Sequence, residues 1–237
     1  MIFRALLVLL SSSFFAGCAS TTLAPETSSG IQQGKVATAA YTVDKTIHYE
    51  EMVYKVLYNE TRTQKAVFED FWDIDKAHTD LLTLALNNLD LDASPSSAAL
   101  SEETQAQLEK NIKLSLETAR EGEPEPFKLE NTARSNLVDA GYDYLVLLQT
   151  SNIMVKTTSM IDSATIWLPS SLIVLDLEEN RQAYNEAFII QSLASYEESV
   201  RELEDNNLAI IREATQKQLA EGLEKRMADI LAIETTR

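Results

Sequence analysis

The stretch Tyr142–Thr150 (YDYLVLLQT) constrains the fold more than any other part of the chain. Its centre, Leu145–Leu148, is apolar at every position, so a strand made from it is apolar on both faces. Such a strand belongs in the middle of a sheet. Around it the pattern alternates between strand and helix periods. Lys35–Val43 and Ile47–Tyr58 are rich in Val, Tyr and Thr, and Met52, Tyr54, Val56 and Tyr58 alternate with their neighbours, which predicts a β-hairpin turning at Asp44-Lys45. Asn59–Lys65 is polar, and Ala66–Phe71 leads into a helix. Asp73 is placed to cap that helix, whose Ile74, Ala77, Leu81, Leu82, Leu84, Ala85 and Leu89 follow a 3.6-residue period.

After a loop at Asp90–Ser97, acids at Glu102 and Glu103 open a second helix with Leu108, Ile112 and Leu116 on one stripe, and Pro124 and Pro126 stop it. Residues 92–126 read as an insertion or mobile lid. A third helix over 128–140 ends where Gly141 fits a left-handed C′ position. Asn152–Thr158 extends the central strand. Ser171–Leu177 and Gln182–Ile190 predict a second hairpin, and a closing helix carries Leu208, Ile211, Thr215, Leu219, Leu223, Met227, Ile230 and Leu231 on one face. The order β-β-α-α-α-β-β-β-α predicts an α/β fold, a two-layer mixed sheet packed by amphipathic helices, in one domain over 35–237.

Composition removes several functions. Acids outnumber bases 37 to 20 over 237 residues, a net charge of −17, which repels nucleic acid. A single Cys and two His leave no disulfide framework and none of the usual Cys/His zinc sites.

That one Cys is placed tellingly. Residues 1–17 (MIFRALLVLLSSSFFAG) have a basic Arg4 and an apolar run too short to span a bilayer, as in a secretory signal peptide. Phe15-Ala16-Gly17-Cys18 resembles the lipobox of bacterial lipoproteins, with Phe15 where Leu is usual. The resemblance implies cleavage between Gly17 and Cys18 and acyl chains on Cys18. Ala19 and Ser20, with no Asp, imply sorting to the outer membrane, on its periplasmic face. Several acyl chains anchor stably, at about 0.8 kcal/mol per buried methylene. Residues 18–34, the lipidated Cys and a Ser/Thr/Gly/Gln-rich stretch, read as a flexible tether. Further on, a helix entering Asp143-Tyr144-Leu145-Val146-Leu147, then SLIVLDLEENRQAYNEAFI and an amphipathic helix, resembles the periplasmic α/β domain shared by the curli-secretion lipoprotein, the lipoprotein activators of penicillin-binding proteins and the N-terminal domain of the Tol-Pal propeller protein. Members of that group mostly bind other envelope proteins. The resemblance carries over no functional residue.

Catalytic motifs are missing from the sequence: no Gly-x-Ser-x-Gly elbow, no phosphate-cradling Gly-rich loop, no His-Glu-x-x-His. His48 lies beside Tyr49 and Glu50, and His78 lies one turn after Asp75, where the two can pair. Asp73/Asp75 and Asp90/Asp92 lack the Gly and distal Glu of a calcium loop. Tyr49, Tyr54, Tyr58, Phe71 and Trp72 gather near the first hairpin, and Tyr142, Tyr144, Trp167, Tyr184 and Phe188 near the second sheet half. Aromatics of this kind build cores or protein-binding hot spots. Trp167-Leu168-Pro169, read as a loop before a strand, is the leading partner-binding candidate, with Tyr54 and Tyr58. Glu197–Asp205 reads as a solvated helix face. The expectation is a lipid-anchored binding or adaptor protein, with no cofactor and no catalysis. A lipid-anchored Ser/His/Asp hydrolase and a carrier of a small apolar ligand are the alternatives.

Overall fold

The structure, a computed structural model, describes residues 23–54, 58–67, 72–121, 126–158, 161–195 and 209–233. Helix α1 (Pro25–Gln33) leads into β1 (Lys35–Thr42), β2 (Thr46–Tyr54) and β3 (Asn59–Val67). Helix α2 (Ile74–Asn87), the short β4 (Asp92–Pro95) and a 3-10 turn at Ser96–Ala98 follow, then α3 (Glu102–Glu121) and α4 (Asn131–Asp139). Strands β5 (Tyr144–Thr150), β6 (Ile153–Thr158), β7 (Ile161–Asp176) and β8 (Arg181–Ser195) precede the closing helix α5 (Ala209–Leu231). All eight strands form one mixed sheet with helices packed on it, the fold class that the patterning predicts.

The sheet is built from long strands interrupted once. β1 pairs in parallel with β4 and β5, and β2 in parallel with β6 and antiparallel with β3. β7 runs antiparallel to β5 with its C-terminal part and to β6 with its N-terminal part, while β8 follows its other edge. The Val43 amide donates to Thr150 O (2.9 Å) and the Asp44 amide to Ser151 O (3.0 Å), so β1 runs on into β2 beside β5 running on into β6. Asp44-Lys45 is therefore a kink, where a hairpin turn was expected. Asp44 Oδ1 accepts the Thr46 amide (3.1 Å) and hydroxyl (2.6 Å), which carries the chain forward. The hairpin is β2–β3, and its second strand is the polar segment expected outside the sheet. An edge strand needs no apolar face of its own to pair.

Two cores lie on opposite faces. Val36, Ala40, Val146, Leu148, Leu172 and Val174 pack with Ile31, Leu82, Leu86, Leu219 and Leu223 of α1, α2 and α5. Ala37, Ala39, Leu145, Leu147, Ile173 and Leu175 pack with Leu108, Ile112 and Leu137 of α3 and α4. Leu145–Leu148 are wholly buried, each side chain contributing roughly 2 kcal/mol by leaving water. Here helices cover both faces, giving three layers where two were expected. Beyond the kinks the described elements cover only the first face, where Ile47, Tyr49, Ile153, Val155 and Ile166 pack against Trp72, Ile74 and Ile211.

Two further expectations change. Residues 92–126 are no lid in their described part, because β4 pairs with β1 and α3 buries Leu108 and Ile112. Asn87 clamps β4 by accepting the Ala93 amide (3.0 Å) and donating to Ala93 O (3.1 Å). Within the expected 18–34 tether, residues 25–33 are helix α1. Tyr144 Oη lies against Gly30 where a Cβ would stand, and Ser28 Oγ donates to Leu231 O at 2.7 Å. The Leu23 amide donates to Ile230 O at 3.0 Å, which ties the residues ahead of α1 to the end of α5. Composition hid this helix because tertiary contacts hold it rather than an apolar stripe. Gly141 (φ +84°) behaves as expected: its amide bonds Val138 O and that of Tyr142 bonds Leu137 O, a Schellman end to α4.

Candidate functional site

The second face of the outer sheet half, which no described helix covers, collects the side chains that the first core leaves out. Strand pairing sets His48, Met154, Trp167 and Gln191 in one row across β2, β6, β7 and β8, with Glu50, Lys156 and Thr165 in the next. Lys156 Nζ lies 3.1 Å from Glu50 Oε2 and 5.4 Å from the Trp167 ring centroid, a cation over an aromatic face. Pro169 and Ile189 are directly paired on the side toward the kinks, and Ile189 is 56% exposed.

Trp167 is half-buried in β7, not in a loop as expected. The misreading came from Pro169, since proline normally argues against a strand interior. Pro169 O accepts the Ser151 amide (2.8 Å), so its ring nitrogen faces the kink at 151–152, where the ladder is already broken. The Trp167 Nε1–H is buried without an acceptor among the described residues. Tyr58 is 59% exposed between β2 and β3, and Tyr54 ends β2 opposite Asn59. Six residues of strand separate Tyr54 from His48, roughly 20 Å. The three partner-binding candidates therefore do not make one patch. Cys18, Gly17, Phe71 and Glu197–Asp205 lie outside the described residues.

The two histidines differ sharply. His48 Nε2 lies 2.7 Å from Asp44 Oδ2 and 3.0 Å from Thr46 Oγ1. Acid and hydroxyl thus share one ring nitrogen, whereas a triad needs the carboxylate on one nitrogen and the nucleophile on the other. Burial raises the Asp44 pKa, but the Thr46 hydroxyl and His48 outweigh it and the carboxyl titrates below its usual value. His78 is fully buried, edge-on to Trp72 at 6.4 Å, and neither ring nitrogen has a partner among the described residues. Burial pushes its pKa from 6.5 down to about 3.

The expected pairing of His78 with Asp75 does not form. Asp75 turns instead to β1, accepting the Thr42 amide (2.7 Å) and meeting Lys45 at 3.3 Å. Its burial raises the pKa against both of those contacts. Asp73 caps α2 through the Lys76 amide (3.1 Å), as its position predicts. No group of three or more His, Cys, Asp or Glu is placed to hold a metal among the described residues. No described helix is long and apolar enough to cross a membrane.

Sequence reasoning missed a groove of about 650 Å³ between β8 and α5. Glu186 meets Arg226 at 2.9 Å, and the Arg226 guanidinium stacks 4.2 Å from the Phe188 ring centroid. Tyr184 Oη donates to Glu186 (3.0 Å); burial and that carboxylate push the phenol to about 12. The only sequence signal was β8 itself, an uncharged run from Ala187 to Ser195.

No protein-family model matches the chain, and no curated protein matches it. Among solved structures, the hypothetical protein CT253 from Chlamydia trachomatis is similar at 11% identity and a TM-score of 0.43, over 84% of this chain and 99% of that one. Protein XCC0632 from Xanthomonas campestris is similar at 9% identity and a TM-score of 0.42, over 84% and 85%. The lipoprotein GNA1162 from Neisseria meningitidis is similar at 10% identity and a TM-score of 0.31, over 76% and 98%. At these scores the likeness carries neither family nor function.

Proposed function

We propose that this chain is a lipoprotein anchored in the outer membrane through Cys18, and that its periplasmic domain binds another envelope protein without catalysis. The observation that carries the reading is the outer half of the sheet, one face of which no described helix covers. A face that bears Trp167, Met154, Pro169 and a 56%-exposed Ile189 beside a Glu50–Lys156 pair has the mixed character of a protein-binding surface. The lipobox residues Phe15-Ala16-Gly17-Cys18 support the anchor. Anchoring confines the domain to a layer near the membrane and raises its effective concentration toward partners there. Neither histidine favours the hydrolase alternative. His78 is sealed in the core, and His48 holds its acid and its hydroxyl on the same nitrogen.

The test is photo-crosslinking in cells from a photoreactive residue at position 191, beside Trp167. One envelope protein captured in stoichiometric yield, lost in Trp167→Ala and reduced in Cys18→Ser, supports the reading. A fully lipidated, outer-membrane chain that crosslinks to nothing, or a purified chain that hydrolyses esters or glycans and stops doing so on His48→Ala, overturns it.

A further inference from the structure

The last strand of the sheet lacks the usual protections of an edge. Among the described residues β8, a strand of 15 residues, pairs with β7 alone, so its other edge over 186–192 faces no described strand. Natural edges are kept short, or are broken by proline, charge or a bulge. β8 has no proline, and its only charges are Arg181 and Glu186. The one bulge in the β7–β8 pairing falls at Val174/Leu175, away from the middle of β8. Ala187–Leu193 combines high β-propensity with no charge, the composition that recruits another strand.

That edge opens into the groove. Phe188 and Ile190 line it from β8, and Gln218, Glu221, Lys225 and Asp229 from α5. The helix comes close at Gly222, where a Cβ would lie 3.9 Å from Ile190 Cδ1. Glu186 and Arg226 neutralise each other, which leaves Glu221 and Asp229 against Lys225, all three exposed, on a chain of net charge −17. A second copy meeting this edge about a two-fold axis would bring the same acidic groove and the same net charge against itself.

We propose that β8 and α5 form a docking groove for an extended, net-basic segment of another polypeptide, which adds to the sheet as a strand. The added strand alternates by register. Its side chains toward α5 are basic and meet Glu221 and Asp229; those toward the open face are apolar and continue the surface of Ile189. The proposal rests on reading the domain as a binding module, and it names the site and the chemistry of what binds there.

The full chain, purified in detergent, is tested by hydrogen exchange with three synthetic nonapeptides: alternating Lys-Val, alternating Glu-Val, and Lys-Val N-methylated at every second amide. The Lys-Val peptide should slow amide exchange across residues 186–192 and bind about fivefold tighter than Glu-Val, as two exposed ion pairs allow. The N-methylated peptide should bind no tighter than Glu-Val. Ile189→Pro should abolish protection, and Glu221→Lys with Asp229→Lys, which leaves the edge untouched, should reverse the Lys/Glu preference. Equal protection by both charge types, protection confined to other strands, or a dimer that protects β8 without peptide would each overturn the proposal. If the groove fails while crosslinks from position 191 still capture an envelope protein, the binding reading stands and only the groove falls. If the peptides bind while that crosslinking fails, the reverse holds.

Discussion

His78 offers the sharpest test of the packing, because a buried imidazole without a partner couples stability to pH in one direction. In the folded chain the ring is sealed beneath Trp72 and titrates near 3, whereas an exposed histidine titrates at 6.5. Between those values the unfolded chain binds a proton that the folded chain does not. Stability therefore falls as pH falls below 6.5, and the loss reaches about 2 kcal/mol by pH 5. His78→Leu removes the titrating group and an unsatisfied N–H together, so at pH 7.5 the variant should be at least as stable as the parent. Urea unfolding of both chains at pH 7.5, 6.5, 5.5 and 5.0 gives the difference at each pH. Asp75, raised by its burial, and Asp44, lowered by Thr46 and His48 against its burial, titrate in both chains and cancel in that difference. The variant's advantage should widen by about 2 kcal/mol between pH 7.5 and 5.0. A constant advantage would show that the imidazole is not held neutral, and a narrowing one would show that it gains a proton partner on folding. Either result refutes the burial argument.

Leu148→Ala, at the centre of the sheet and wholly buried, should cost 2–5 kcal/mol in the same unfolding assay; a loss below about 1 kcal/mol would mean that β5 is not central. Asp73→Ala removes the cap on the Lys76 amide and should cost about 1 kcal/mol, with faster hydrogen exchange confined to the first turn of α2. Gly30→Ala pushes a methyl against the Tyr144 hydroxyl, so overpacking of about 1–3 kcal/mol should exceed the gain of about 1 kcal/mol in helix propensity. A Gly30→Ala chain that melts higher than the parent would remove α1 from the packed domain.

The elements legible in the sequence were those whose own side chains set their period. The Asp73 cap and the Leu82 stripe mark α2, Leu145–Leu148 mark β5, and Leu219, Leu223 and Met227 mark α5. What escaped was held from elsewhere in the chain. α1 has a single buried large apolar residue, Ile31, and leans on Tyr144 and the end of α5. β4 is four residues clamped by Asn87, and β3 is polar because it is an edge. Trp167 was legible as a candidate, but its strand was not, because the kink that excuses Pro169 lies in a different strand. The groove joins Glu186–Gln191 to Gln218–Ile230, segments far apart along the chain, and no local pattern encodes their meeting.

The aligned kinks at 43–45 and 151–152 explain why one sheet has two kinds of surface. Before them the even-numbered residues of β1 and β5 face the first core; after them the odd-numbered residues of β2 and β6 do. Each kink changes the phase of its strand, and because both changes fall at the same height the apolar face remains continuous across the break. A single kink would have turned Ile47 and Tyr49, or Ile153 and Val155, to the opposite face, away from the first core. The phase change thus lets the inner half be apolar on both faces while the outer half keeps one face for other uses. The proposed anchor would lie at the opposite end. α1 packs beside Tyr144 at the start of β5, and four residues lie between Cys18 and Leu23, whose five Cα steps span at most about 18 Å when fully extended. Trp167 pairs with Met154, ten residues along β5–β6 from Tyr144, roughly 30 Å away. If Cys18 carries the proposed lipid, Leu23 stays within that short span of the membrane, and the length of the sheet, more than the tether, would set how far out the proposed docking face reaches.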